Sequence, residues 1–284
     1  MKKKKIFINI GFPKTATTWL QNEFFSTHQD IEFLGKSSRK HVQQLTRLQM
    51  NLQNEPDITF SPKKSRDTVR NIIRKHPTEK KIYGVSYEGL SFGNGGLMPS
   101  SLYVAERLKE SFKDFDTRII IGIRNQTSML ESYYNQYIKR GGRLPSTKLL
   151  FSPNKRSVAL RSKLFYHTFI THYQHVFGKE NVFVYVFEEF KSEPAKVLKQ
   201  LCKFLGISEP PTPDKKKQKQ GLSKITISIH RFLNTFLTSK LNESPLSPLS
   251  WLTSLSAMLL LWFRQILEKF NISSQLQKKT HRKQ

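Results

Sequence analysis

Apolar residues fall in short β-branched runs separated by longer stretches of helical period, and that alternation predicts the fold. Ile6, Phe7, Ile8 and Ile10 form the first run, which ends at Gly11; a helix is expected from Thr17 to Phe25. Residues 35–80 are polar, basic and weakly periodic, with exposed helices expected around Arg39–Leu52 and Arg66–Lys75. Lys81 to Glu88 reads as a strand ending on a carboxylate, followed by a glycine-rich loop (Gly89 to Gly96) and a helix from Ser100 to Phe112. Thr117 to Arg124 is almost continuously apolar, as a strand buried on both faces requires. A helix from Thr127 to Arg140 follows, stopped by Gly141-Gly142. After a basic loop, one long helix is expected from Ser157 to Phe177, then a strand from Asn181 to Phe187. Pro194 opens a helix over Ala195–Leu205, and Gly206 closes it. Strands alternating with helices predict an α/β fold: a central parallel sheet flanked by helices on both faces.

Residues 209–221 form a proline- and lysine-rich loop, and Leu249 to Phe270 places Leu252, Leu255, Leu259, Trp262, Phe263, Ile266 and Phe270 near helical spacing. That last stretch is too short and serine-rich to span a bilayer. A core or dimer helix is the first reading, and an interfacial helix on anionic lipid the second, prompted by Lys269 and the basic tail. The organisation expected is one domain over residues 1–235 and a helical, basic C-terminal extension over 236–284.

Composition narrows the class. With 284 residues and 37% hydrophobic content the chain can build a core. Its single cysteine, Cys202, allows no intramolecular disulfide and fits a reducing, cytoplasmic setting. Cys202 lies among Leu198, Leu201 and Leu205, where packing is its expected role. The apolar run behind Lys2–Lys5 is shorter than a secretory signal needs, so neither a leader nor an N-terminal anchor is expected. The net charge of +27 calls for an anionic partner: a polyanionic donor or acceptor, an acidic membrane or nucleic acid. From Asp214 onward thirteen Lys and Arg face three Asp and Glu.

Two stretches carry chemistry. The first is Phe12-Pro13-Lys14-Thr15-Ala16-Thr17-Thr18-Trp19, between the first strand and its helix. Free N–H groups at a helix start, three threonine hydroxyls and one lysine make a site for a phosphate-like or sulfate-like group. It is not the nucleotide P-loop, because no second glycine precedes the lysine. The second is Arg124, at the carboxyl end of the most buried strand, with Ser132 eight residues on in the following helix. Parallel sheets bind ligands at such strand ends, and a guanidinium can clamp a phosphate with two hydrogen bonds. Of His167, His172 and His175, the 167/172 spacing is poor for one helix face and 172/175 is feasible; with no cysteine or carboxylate between them, no metal is expected.

The first stretch closely resembles the 5′-phosphosulfate loop of the sulfotransferases, (Y/F)-P-K-(S/T)-G-T-T-W, with Ala16 in the place of Gly. The Arg124–Ser132 pair resembles the same family's grip on the 3′-phosphate of its donor, 3′-phosphoadenosine-5′-phosphosulfate (PAPS). The stretch from Leu164 to Gly206 resembles the family's later region. The resemblance covers residues 5–235 and implies a P-loop NTPase-like sulfotransferase fold. It further implies that Lys14, Thr15, Ala16, Thr17 and Thr18 bind the phosphosulfate and that Trp19 stacks on adenine. Lys14 would be catalytic, and Arg124 and Ser132 would hold the 3′-phosphate. Carbohydrate-modifying members often use a glutamate base, which points to Glu88, with Glu23 and His28 in reserve. The acceptor implied is a hydroxyl or amine of a carbohydrate, glycolipid or small metabolite. No specific nucleic acid is expected, and peripheral contact with an anionic membrane is allowed. The competing readings are a phosphotransferase with a variant P-loop and a non-catalytic basic protein that binds nucleic acid or membrane.

Overall fold

The computed structural model describes residues 3–35, 42–87, 89–92, 101–153, 155–162, 164–209, 224–236, 239 and 241–242. Five strands make one all-parallel sheet: β1 (Lys5–Asn9), β2 (Ile31–Phe33), β3 (Ile82–Ser86), β4 (Asp116–Ile123) and β5 (Val182–Val186), in the order β2-β3-β1-β4-β5. The expected α/β architecture is therefore observed. β1 lies at the centre, and the chain winds to one side of it for β2 and β3 and to the other for β4 and β5. The order reverses beside the carboxyl end of β1, which is where such sheets leave a ligand crevice.

Helices cover both faces. On one, Phe7 of β1 packs with Leu20, Phe24 and Phe25 of the first helix and with Leu198, Leu201, Cys202 and Leu205 of α11 (Pro194–Leu205). Pro194 sits in the first turn of α11, and Gly206 closes it in the left-handed conformation (φ 67°, ψ 38°). Cys202 is core, and burial pushes its thiol up to about 11, which keeps it an inert packing group. On the other face lie α5 (Ser101–Ser111) and α9 (Tyr166–Phe177), backed by α2 (Val42–Asn54) and α3 (Pro62–Arg74). Strand alternation sends Ile6 and Ile8, both fully buried, toward that layer.

Local structure departs from the sequence reading in five places. β2 is a three-residue edge strand, too short to show a period. The long helix expected over Ser157–Phe177 is two, α8 (Lys155–Ser162) and α9. The break precedes α9, where Tyr166 and Phe169 turn edge-on to the buried ring of Phe12 at 4.9 and 5.0 Å. The basic loop holds α7 (Ser146–Phe151), and the strand β5 runs directly into α10 (Phe187–Ser192). The glycine-rich loop expected from Gly89 begins instead as a short helix, α4 (Gly89–Phe92).

The chain divides into two compact units, residues 1–126 with 153–214, and residues 127–152 with 215–284. The second contains nearly all of α6 (Gln126–Lys139), α7 and α12 (Lys224–Phe236). α6 stops at Gly141, as its sequence predicts, in a left-handed turn (φ 94°). The expected extension beyond 242, including Leu249 to Phe270, lies outside the described residues.

Candidate active site

The loop from Gly11 to Ala16 leaves β1 while still paired to the sheet. Ile10 N–H donates to the Ile120 carbonyl and Phe12 N–H to the Gly122 carbonyl, both at 3.0 Å, so β4 guides the chain into the loop. Phe12 is locked by the α9 rings. Beyond it the backbone does something L-residues rarely do: Lys14 (φ 69°) and Ala16 (φ 67°) are both left-handed. Ala16 is thus not in an ordinary conformation, and the position where the sulfotransferase motif has glycine requires a glycine-like backbone here too. A left-handed residue followed by the right-handed turn of α1 (Thr17–Trp19) forms a nest, in which successive N–H groups converge on one point. α1 continues as a π-helical turn over Leu20–Phe25.

The motif's side chains divide by direction. Lys14 and Thr18 are exposed. Thr15 and Thr17 are buried. The Thr15 hydroxyl donates to the Phe12 carbonyl at 2.5 Å and lies 3.4 Å from that of Thr17. Trp19 is half-buried and meets Phe190 edge-on at 5.4 Å, as part of the packing against the core.

Sequence reading missed the supports beneath the loop. The Tyr185 hydroxyl, from β5, donates to the Thr15 carbonyl at 2.7 Å. It passes over Gly122, where a Cβ would lie only 2.4 Å from that hydroxyl and 2.8 Å from Thr15 Oγ1. Ser86 Oγ accepts from Asn9 Nδ2 (3.0 Å) and Gln21 Nε2 (2.8 Å), a buried knot joining β3, β1 and the first helix. Tyr185 reads in sequence as one aromatic among several in a strand. Only the register of β5 on β4, Tyr185 opposite Gly122, reveals its position.

Arg124 follows β4 and reaches back across the mouth of the site. Its Nη1 donates to the Lys14 carbonyl at 3.3 Å. Its guanidinium lies 4.6 Å over the Phe187 ring, and Nε is 3.9 Å from Glu188. Both Glu188 oxygens accept from Asn125 N–H at 3.2 Å. Two stretches 110 residues apart in sequence therefore meet in one place. Nearby Tyr166 is half-buried, and that burial pushes its phenol up to about 12, which keeps it neutral.

Ser132 is half-buried on α6 and belongs to the second unit. Glu88 lies outside the described residues, but its neighbour is placed: Tyr87 N–H donates to the Asn9 carbonyl at 2.9 Å, at the end of β1. Of the reserve bases, Glu23 is exposed. His28 is occupied in structure: Nδ1 accepts from Asp30 N–H at 3.1 Å and Nε2 donates to the Ser208 carbonyl at 3.0 Å. No cluster of metal-ligating side chains occurs among the described residues.

Residues 3–219 match the family model of the sulfotransferase domain. The chain belongs to the sulfotransferase family. Among solved structures, this sulfotransferase is similar to one from Alicyclobacillus acidocaldarius. That pair shares 20% identity over 78% of this chain and 87% of the other, with a TM-score of 0.56, a likeness of fold. It also matches mouse SULT7A1, a sulfotransferase crystallised with PAP, at 17% identity over 74% of this chain and 62% of that one, with a TM-score of 0.39. No curated protein matches the sulfotransferase sequence.

Proposed function

We propose that this enzyme transfers a sulfuryl group from PAPS to a hydroxyl or amine of a carbohydrate, glycolipid or small metabolite, in the cytoplasm. The observation that carries the reading is the 3.3 Å contact from Arg124 to the Lys14 carbonyl. It brings the Arg124 guanidinium against the Lys14 loop, which supports one ligand bound by both. The loop fits a phosphosulfate on its own terms: a nest of N–H groups, an exposed lysine and an exposed threonine. PAPS would supply an activated sulfuryl group on its 5′-phosphate.

In this reading the N–H groups of the loop and Thr18 hold the phosphosulfate, with Thr15, Ala16 and Thr17 shaping the loop around it. Lys14 balances the charge that builds on the bridging oxygen as the sulfur–oxygen bond breaks. Arg124 and Ser132 grip the 3′-phosphate, and Trp19 borders the adenine. The acceptor oxygen attacks sulfur in line as adenosine 3′,5′-bisphosphate departs, and its proton passes to a base. Glu88 is the proposed base, because the strand before it ends beside β1. Residues 1–235 would form the catalytic domain, with 236–284 as its extension.

Thermal shift tests the donor assignment. Adenosine 3′,5′-bisphosphate should stabilise the protein where ATP and DNA do not, and the effect should persist in moderate salt. Lys14→Ala should lower turnover by about 10²–10³, the scale of one lost charge-stabilising donor, with much of the nucleotide affinity kept. Arg124→Ala should chiefly weaken nucleotide binding. Equal stabilisation by ATP, or full turnover in Lys14→Ala, would overturn the assignment.

A further inference from the structure

The acidic pair Glu188-Glu189 follows β5 at once, and its two carboxylates go to different places. Glu189 pairs with Lys196 of α11 at 3.0 Å, and Phe190 beside it is buried in the core. Glu188 instead faces the end of β4. Strand register sets this up. β4 and β5 end together, with Ile123 opposite Val186, so the next residues, Arg124 and Phe187, leave the sheet side by side.

The Arg124 guanidinium is thereby held from three directions. The Phe187 ring lies under its plane, the Lys14 carbonyl takes Nη1, and Glu188 Oε1 stands 3.9 Å from Nε. Glu188 is itself fixed, because both its oxygens accept from the Asn125 N–H at 3.2 Å. That N–H directly precedes α6, whose positive end favours a carboxylate.

An ion pair at 3.9 Å whose carboxylate side chain is 44% exposed adds little stability of its own. Its Coulombic effect on a phosphate bound beside it is unfavourable. What Glu188 supplies is geometry. An arginine side chain has several rotatable bonds, and setting its planar fork in advance spares the cost of ordering it when a phosphate arrives. We infer that Glu188 is a positioning residue, acting through Arg124 to orient the guanidinium for the 3′-phosphate of the donor. The inference rests on the reading in which Arg124 grips that phosphate.

Calorimetric titration of the full chain with adenosine 3′,5′-bisphosphate tests this through a double-mutant cycle, without any turnover assay. Glu188→Ala should weaken binding about three- to tenfold, the scale of ordering one long side chain, although it removes a negative charge from an anion site. Glu188→Asp keeps the charge but shortens its reach by one methylene, and should weaken binding in the same direction. Glu188→Gln keeps both the length and the acceptor for Asn125 N–H, and should bind at least as tightly as wild type. In an Arg124→Ala background, Glu188→Ala should weaken binding no further, because nothing is left to position. Unchanged or tighter binding by the Glu188→Ala protein would overturn the inference and make the carboxylate a competitor of the phosphate. Equal weakening in both backgrounds would overturn it too, as the mark of a general loosening of the fold. An Arg124→Ala protein with wild-type affinity would overturn the phosphate assignment itself, and the inference with it.

Discussion

Tyr185→Phe removes one oxygen and leaves the ring in place, so it isolates the support of the loop from its chemistry. In the native site the phenol donates to the Thr15 carbonyl at 2.7 Å, in a buried setting directly above Gly122. A buried neutral hydrogen bond contributes about 0.5–1.5 kcal/mol net, and stranding its acceptor costs about 1–3 kcal/mol. The expected loss is therefore about 1–2 kcal/mol. At about 2–4 °C per kcal/mol for a chain somewhat smaller than this one, that is a fall of several degrees in Tm. Thr15 lies between two left-handed residues, so releasing its carbonyl also frees the loop to relax. Affinity for adenosine 3′,5′-bisphosphate, measured by calorimetry, should fall along with Tm although no ligand-facing group has changed. Gly122→Ala attacks the same joint from the strand side, with a Cβ driven into the Tyr185 hydroxyl, and should give the same pair of effects. A Tyr185→Phe protein that melts within a degree of wild type and binds nucleotide equally well would refute the idea that β5 holds the loop.

Other sites give independent checks. Asp30 Oδ2 accepts from Ser208 N–H and Oγ, both at 2.7 Å, and from Lys81 at 3.0 Å; the Ser208 N–H leads in pulling its carboxyl down to about 2. Because the folded value lies below the unfolded one, its stabilisation is complete above about pH 4 and disappears as pH falls toward 2. Asp30→Asn should thus lower Tm at neutral pH and flatten its decline between pH 4 and 2; an unchanged slope would reject the linkage. Tyr173 is fully buried between Phe169 and Phe177, and its hydroxyl has no hydrogen-bond partner among the described residues. Tyr173→Phe should leave Tm level or raise it by a few degrees, and a clear fall would point to a partner for that hydroxyl. Glu188→Gln keeps an acceptor for Asn125 N–H but removes the negative charge beside Arg124. It should tighten adenosine 3′,5′-bisphosphate binding about two- to fivefold at low salt, and weaker binding would contradict the role given to Arg124.

How far the sequence could be read depended on whether a signal was local. The central strands and α11 announce themselves because burial on both faces, or a stripe such as Val197, Leu198, Leu201, Cys202 and Leu205, is written into adjacent residues. The loop at Lys14 was legible for the same reason, being contiguous. β2 was not, because three residues cannot display a period, and its pairing to β3 decides its conformation. The break between α8 and α9 was hidden because apolar residues continue through it; the first turn of α9 packs on a ring from β1's loop, over 150 residues away in sequence. Tyr185, Gly122 and the Asn9–Ser86–Gln21 knot act only through strand register, which no single stretch of sequence encodes.

The same division explains how an alanine can stand in the loop. A left-handed alanine costs about 1–2 kcal/mol more than glycine would, and Lys14 carries the same kind of cost two residues earlier. Such conformations persist only where the surroundings over-determine them. Here the surroundings are identifiable. Phe12 is wedged between two rings of α9, Thr15 is tied at its hydroxyl and its carbonyl, and Arg124 holds the carbonyl of Lys14 itself. None of these contacts uses the Lys14 side chain or the Thr18 hydroxyl. The buried threonines and the distant tyrosine hold the backbone in the shape the proposed phosphosulfate site needs before any ligand arrives.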